Sequence, residues 1–346
     1  MRIEGAKHRR DPRGAFQLTC RGAAGRGTLG ALDQDSVAGD PAAVIVDRVW
    51  KRFGRADVVR DLSFEVRRGE VLGFLGPNGA GKTTMMRMIL DIIRPDRGRI
   101  EVFGGPPGLT QQQRVGYLPE ERGLYRDVPV VDTLTYFASL KGLPAREARR
   151  RSERLLSEVG LADSLTKKAA ELSRGMHQKA QVIATVLHDP DLLIVDEPFQ
   201  GLDPLNAQLL REVLLGQRDR GAAVVMSTHD MNDAQTLCDR ILLIDQGRRL
   251  LYGRVADVQR AFSSGAVEVE GDGLPADPAG LTSVTDVSGS DGTLRFLLEE
   301  GAQPADLFRE LAASGADVRR FEVATPALAE IFIRAVAGDP RAQRVQ

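Results

Sequence analysis

Short unbroken apolar runs punctuate the chain at residues 71–75, 192–195, 222–226 and 241–244, with helical stretches between the last three. Runs of this length with no polar alternation are expected of parallel strands covered on both faces. Residues 44–46 and 58–66 read as strands flanking a loop that carries Lys51, Arg52, Phe53 and Gly54. Residues 99–103 alternate and read as a further strand, ended by Gly104, Gly105, Pro106 and Pro107. Helix formers fill 85–90 ahead of Pro95, and residues 132–160 are helical with a break around Gly142, Leu143 and Pro144. After Pro144 the pattern is rich in Arg and Glu, with Leu155, Leu156 and Val159 on one face, as in an exposed amphipathic helix. Asp203-Pro204 ahead of residues 205–215 is a helix start, with a capping carboxylate and proline at the first position. The predicted fold class is α/β.

The pattern changes at both ends. Residues 1–41 have no apolar periodicity, and the first thirty hold seven Lys and Arg against two acids, with glycines interspersed. This stretch reads as a disordered basic tail without the apolar core of a secretory leader. Residues 42–262 form the expected main domain. Residues 263–346 are expected to form a small α+β accessory domain. Its strands are expected at 265–271, 294–298 and 318–323, and its helices from Pro304 and Pro326. No motif there carries recognisable chemistry.

Composition narrows the class. The chain has 346 residues, of which 42% are apolar and 27% charged, as in ordinary globular proteins. A formal charge of -1 gives no global attraction to nucleic acid or an anionic membrane. Cys20 and Cys238 make no disulfide framework and no zinc-type cluster, which points to a reducing compartment. No run approaches the roughly 18–20 apolar residues of a membrane-spanning helix. A role at a membrane therefore requires another chain to cross it.

The chemistry centres on Gly76-Pro77-Asn78-Gly79-Ala80-Gly81-Lys82-Thr83, followed by Thr84, which fits the phosphate-loop pattern G-x-x-x-x-G-K-[ST] between a strand and a helix. An accidental match is expected in about 1% of chains this long. Glycines let consecutive N–H groups turn toward an anion, and the helix beginning near Gly81 adds the positive end of its dipole. Lys82 is expected on the β- and γ-phosphates and Thr83 on Mg²⁺. The run 192–195 leads into Asp196 and Glu197. Both carboxylates thus stand at the carboxyl end of a buried strand, where open α/β sheets bind ligands. Asp196 is suited to hold Mg²⁺, directly or through water, and Glu197 to orient or deprotonate an attacking water.

Ahead of that strand, Leu172-Ser173-Arg174-Gly175-Met176 resembles the L-S-G-G-Q signature of the ATP-binding subunits of ABC transporters, with Arg174 and Met176 as departures. The order phosphate loop, signature, Asp196-Glu197 is that of the family. The resemblance implies a mixed-sheet ATPase core with a helical signature subdomain. It also implies that Ser173 and Gly175 bind the γ-phosphate held by a second copy. Gly201-Leu202-Asp203 resembles the D-loop, although Gln200 stands where a serine is usual; His229 resembles the switch histidine, and Phe53 the aromatic that stacks on adenine. Pro77, Asn78, Gly79 and Ala80 through Thr84 match the phosphate loop throughout.

Glu120 occupies the place of a family glutamine that meets Mg²⁺ and water. It is expected to approach the metal when a dimer closes, with Arg122 as the offsetting cation. The alternative is a solvated Glu120 whose work is done by Gln178 or another residue. Residues 116–125, the signature variant and the ending Glu330-Ile331-Phe332-Ile333 resemble the NatA-like sodium-exporter branch, whose close relatives export drugs or lipids.

The resemblance, over about residues 43–336, implies the ATPase subunit of a two-component exporter using ATP and Mg²⁺. Its partners would be an integral membrane permease and a second copy, or a second ABC subunit, and not nucleic acid. Its place would be the cytoplasmic face of the cell membrane. A repair or chromosome ATPase would need a long coiled-coil insertion between Thr84 and Ser173, and a ribosome-acting member normally has two such domains. A regulatory dimer without a permease remains the alternative.

Overall fold

The computed structural model describes residues 42–120, 123–263, 265–290 and 292–344. The basic tail and Arg122, both singled out above, lie outside the described residues. The chain opens with strands β1 (Val44–Phe53), β2 (Ala56–Val66) and β3 (Val71–Leu75), helix α1 (Lys82–Ile89), strand β4 (Arg97–Val102), short helix α2 (Leu109–Gln112) and strand β5 (Val115–Leu118). Three helices follow, α3 (Val130–Leu140), α4 (Ala145–Glu158) and α5 (Arg174–Val186). Then β6 (Leu192–Asp196), α6 (Pro204–Asp219), β7 (Ala223–Thr228), α7 (Met231–Leu237), β8 (Arg240–Asp245), β9 (Arg248–Arg254) and α8 (Val255–Phe262) complete the first part.

The apolar runs become the middle of a six-stranded sheet ordered β5-β6-β7-β3-β8-β9, parallel except for β9. β3, β6 and β7 are buried along their whole length, which is why their sequences show no alternation. One face packs against α1 and a three-stranded antiparallel sheet, β2-β1-β4, through Phe64, Phe74, Met85, Met86, Ile194 and Val225. Phe64 and Phe74 meet edge to face, with ring centroids 5.0 Å apart. Register places Leu75 beside Thr228 and Asp196 beside Ser227. The ends of β3, β6 and β7 therefore open on the same side of the sheet. A separate helical core joins α3, α4 and α5 through Leu134, Leu156 and Ile183.

The remainder comprises β10 (Ala266–Asp272), β11 (Val284–Ser290), β12 (Thr293–Leu298), α9 (Pro304–Ser314), β13 (Asp317–Val323) and α10 (Leu328–Val336). The four strands form an antiparallel sheet ordered β11-β12-β10-β13, with Leu307 and Leu311 of α9 on its buried face. β11 has no counterpart in the sequence reading because only Val284 of its seven residues is buried. An edge strand with so little core shows no apolar signal. α10, expected within the small domain, packs elsewhere: Leu328, Ile331 and Ala335 join Val258 and Phe262 of α8 and the far face of the six-stranded sheet. Ile331→Ala is expected to lower the unfolding free energy of the full chain by about 2–5 kcal/mol in urea denaturation, the usual cost of emptying such a site.

Candidate functional site

The phosphate loop leaves β3 at Gly76, whose φ is 150° and where an added Cβ would lie 2.2 Å from the Ile244 carbonyl oxygen. Only glycine lets the loop turn so close to the end of β8. α1 begins at Lys82, and the first amides of a helix have no acceptor within it, so they are free to face an anion. The Lys82 ammonium is buried and curls back over the loop, donating to Gly76 O at 2.7 Å and Pro77 O at 3.4 Å.

The acids come from the end of β6. Asp196 is 2% exposed and accepts a hydrogen bond from Ser227 Oγ at 2.5 Å. Ser227 Oγ in turn accepts the Glu197 N–H at 2.9 Å, which ties the acidic pair to β7. Glu197 has φ 46°, in the left-handed region where a side chain costs about 1–3 kcal/mol and is kept only when its surroundings enforce it. Its Oε1 is buried, lies 3.2 Å from Lys82 Nζ and accepts no well-aligned hydrogen bond, while Oε2 sits 2.9 Å from His229 Nδ1. Lys82, Glu197 and His229 are thus one connected polar cluster.

These groups face an open cleft of about 330 Å³ lined by Asn78, Gly79, Lys82, Thr83, Thr84, Glu120, Glu197, Gln200 and His229. The strands bring together residues that sequence spaces over more than a hundred positions. Asp196 does not line this cleft; with Glu120, Glu197 and Gln200 it borders a smaller cavity of about 60 Å³ immediately behind. Tyr117 lines neither space, and burial, then the Asp196 carboxylate, raises its phenol above the ordinary tyrosine range. Gln178, the alternative to Glu120, reaches only the smaller cavity.

Other expected site residues lie outside the cleft. Phe53 ends β1 half exposed, with Lys51 Nζ 5.4 Å from its ring centroid. Ser173 caps α5, accepting the Met176 N–H at 3.3 Å. Asp203 caps α6 by accepting the Leu205 and Asn206 N–H groups at 3.1 and 3.0 Å. The Asn206 N–H is the chief reason its carboxyl stays below the ordinary range. Gly175 faces Asn206, and Arg174 packs against Gly201, where an added Cβ would meet a guanidinium nitrogen at 2.1 Å. The start of α5 and the 201–203 turn therefore pack on each other, away from the phosphate loop of their own chain. Sequence reasoning registered Gln200 only as a departure; its hydrogen bond from N–H to Glu197 O at 3.3 Å closes the turn that swings it into the cleft.

Beside Glu120 a second, mostly apolar cavity of about 280 Å³ is lined by Tyr117, Leu124, Phe137, Leu140 and His188. Burial and the neighbouring Lys141 ammonium push the His188 imidazole down to about 4, so it is uncharged at neutral pH.

Residues 59–200, which span the phosphate loop, Ser173 and Glu197, match the ABC transporter family model. The uncharacterized ABC transporter ATP-binding protein YhaQ of Bacillus subtilis is 37% identical over 295 residues, 84% of this chain and 97% of that protein. The chain belongs to the ABC transporter ATP-binding proteins.

This ABC ATP-binding subunit is an ATP hydrolase, and its nucleotide-binding fold is that of the P-loop ATPases. It is also similar to Nod factor export ATP-binding protein I of Ralstonia nicotianae, 36% identical over 77% of this chain and 84% of that one. Residues 253–336 match the C-terminal domain of ATP-binding proteins like DrrA1-3. A solved ATP-binding subunit of an ABC transporter is 34% identical with a TM-score of 0.60, covering 64% of this chain and 93% of its own. A likeness to cbiO1 of Clostridium perfringens, part of the cbiONQ complex, is 24% identical with a TM-score of 0.56 over 63% of this chain and 90% of that one, and concerns the fold alone. Among the described residues of the ABC subunit, no helix is long and apolar enough to cross a membrane.

Proposed function

We propose that this subunit couples Mg²⁺-ATP hydrolysis to export through a separate integral membrane permease. It acts as a homodimer or beside a second ABC subunit on the cytoplasmic face of the membrane. The observation that carries this reading is the cleft itself. It holds the phosphate loop, Glu197 and His229, while Ser173 and Gly175 open elsewhere on the same chain. A second copy supplying its signature residues completes the site.

In that complete site, the loop amides and Lys82 hold the β- and γ-phosphates, and Phe53 stacks on adenine. Water attacks phosphorus in line as the bond to the ADP oxygen breaks. Glu197 takes the water's proton, and Lys82 and His229 offset charge on the transferred phosphoryl group. The Asp203 turn carries contact between the two copies.

The oxygen groups of Thr83, Asp196 and Glu120 suit a hard cation such as Mg²⁺. Among the described residues, no group of three or more His, Cys, Asp and Glu side chains is arranged to hold a metal. When bound, Mg²⁺ neutralises phosphate charge and fixes its geometry.

The membrane partner is supported by the apolar cavity beside Glu120 and by the exposed Tyr125 and Tyr136 next to Phe137. The export direction is supported by the Nod factor export relative. Co-purification of an integral membrane protein with the tagged full chain from native membranes tests the reading. Its absence, with a stable ATPase dimer, would favour the regulatory dimer.

Glu120→Gln is expected to keep ATPase activity within a few-fold of wild type but to shift its Mg²⁺ dependence, because a carboxamide is a weaker cation ligand than a carboxylate. Glu120→Ala is expected to lose most of the coupling to the partner. Unchanged Mg²⁺ titration and transport in both variants would return the role to Gln178.

A further inference from the structure

Gln200 lines the same cleft as the phosphate loop, and nothing above gives it a task. Its side chain is exposed and makes no hydrogen bond among the described residues, yet it borders both the phosphate cleft and the smaller cavity behind Glu197. Glu120 and Glu197 share that double position. The backbone bond from Gln200 N–H to Glu197 O fixes Gln200 and Glu197 on one turn, and a second bond, from Leu202 N–H to Phe199 O at 3.1 Å, continues it. Gln200 is thus held in place by its backbone and left free at its tip.

The chemistry of this wall is one-sided without Gln200. Ionised Glu120 and Glu197 accept hydrogen bonds but donate none, and both repel phosphate oxygens. An attacking water gives one hydrogen to Glu197 and directs a lone pair at phosphorus; with Glu120 committed to the cation, its second hydrogen needs another acceptor. A carboxamide supplies that acceptor and also donates N–H to a phosphate oxygen, without adding charge. From this placement we infer that Gln200 is a positioning residue for hydrolysis, holding the attacking water between Glu197 and the γ-phosphate. The inference rests on the reading of Glu197 as the base.

Steady-state ATPase assays of the full chain test it, with kcat and KM separated and thermal unfolding as a fold control. Gln200→Ala is expected to lower kcat about tenfold or more, as loss of a preorganised hydrogen-bonding group does, with KM for Mg²⁺-ATP within about threefold. Gln200→Glu keeps the size but adds a third acid to the wall, and is expected to lower kcat at least as far. The exchange Glu120→Gln with Gln200→Glu returns one carboxamide and leaves the charge unchanged. It is expected to recover most of the loss, a coupling read directly from the double-mutant cycle.

Wild-type kcat in both Gln200 variants would overturn the inference. So would an exchange variant as slow as the two single effects combined. Glu197→Gln, run alongside, separates the two claims. If it too hydrolyses ATP normally, the underlying reading fails; if it alone is inactive, only the role of Gln200 does.

Discussion

Glu197→Gln is expected to reduce ATP hydrolysis by about 10²–10⁴-fold, the usual contribution of a positioned general base, while ATP is still bound. The substitution keeps the shape of the side chain and removes the carboxylate that takes the water's proton. Lys82 and the loop amides, which hold the phosphates, are untouched. The variant should even gain on the binding side, because Lys82 Nζ lies 3.2 Å from Glu197 Oε1 and phosphate no longer competes with an ion pair. ATP that binds and is not cleaved should trap the closed dimer, visible as a shift to dimer in sedimentation with ATP and Mg²⁺ but not with ADP. Hydrolysis at the wild-type rate would remove Glu197 from the mechanism.

Ser173→Arg is expected to abolish hydrolysis, although Ser173 does not border the phosphate cleft of its own chain. It caps α5 through the Met176 N–H, so its loss also costs about 0.5–2 kcal/mol of stability. Ser173→Ala loses the same cap without the bulky cation, so its thermal unfolding, rather than its activity, marks the stability share of the effect. Lys82→Ala is inactive for a different reason, since it damages the phosphate loop and leaves the signature intact. Mixing Ser173→Arg with Lys82→Ala protomers is therefore expected to restore at most one competent site per heterodimer, built from the loop of one and the signature of the other. Full activity in a chain that sediments as a monomer would sink the two-copy reading.

The amino-acid sequence by itself determined the elements whose reasons are local. The runs 71–75, 192–195 and 241–244 had to be buried strands, because no face of them tolerates water. Asp203-Pro204 had to begin a helix, and Asp203 accepts the two N–H groups that such a start leaves open. The glycines and Lys82 of the phosphate loop carry their chemistry in consecutive residues, so their purpose is legible without a fold. Resemblance added Ser173, Glu120 and His229 by their place in a series.

Only the tertiary structure decided what depends on pairing between distant strands. The sheet order that sets β3 beside β7 and β7 beside β6 brings Lys82, Glu197 and His229 into one connected cluster. No local pattern encodes that order. The left-handed turn at Glu197 aims Gln200 into the cleft, and its strain is held by contacts to Ser227 from another strand. β11 escaped notice because an edge strand buries almost nothing, and the partners of α10 were not legible because an amphipathic stripe fixes which face is buried but not what covers it. Periodicity specifies an apolar face; the partner for that face is chosen by the whole chain.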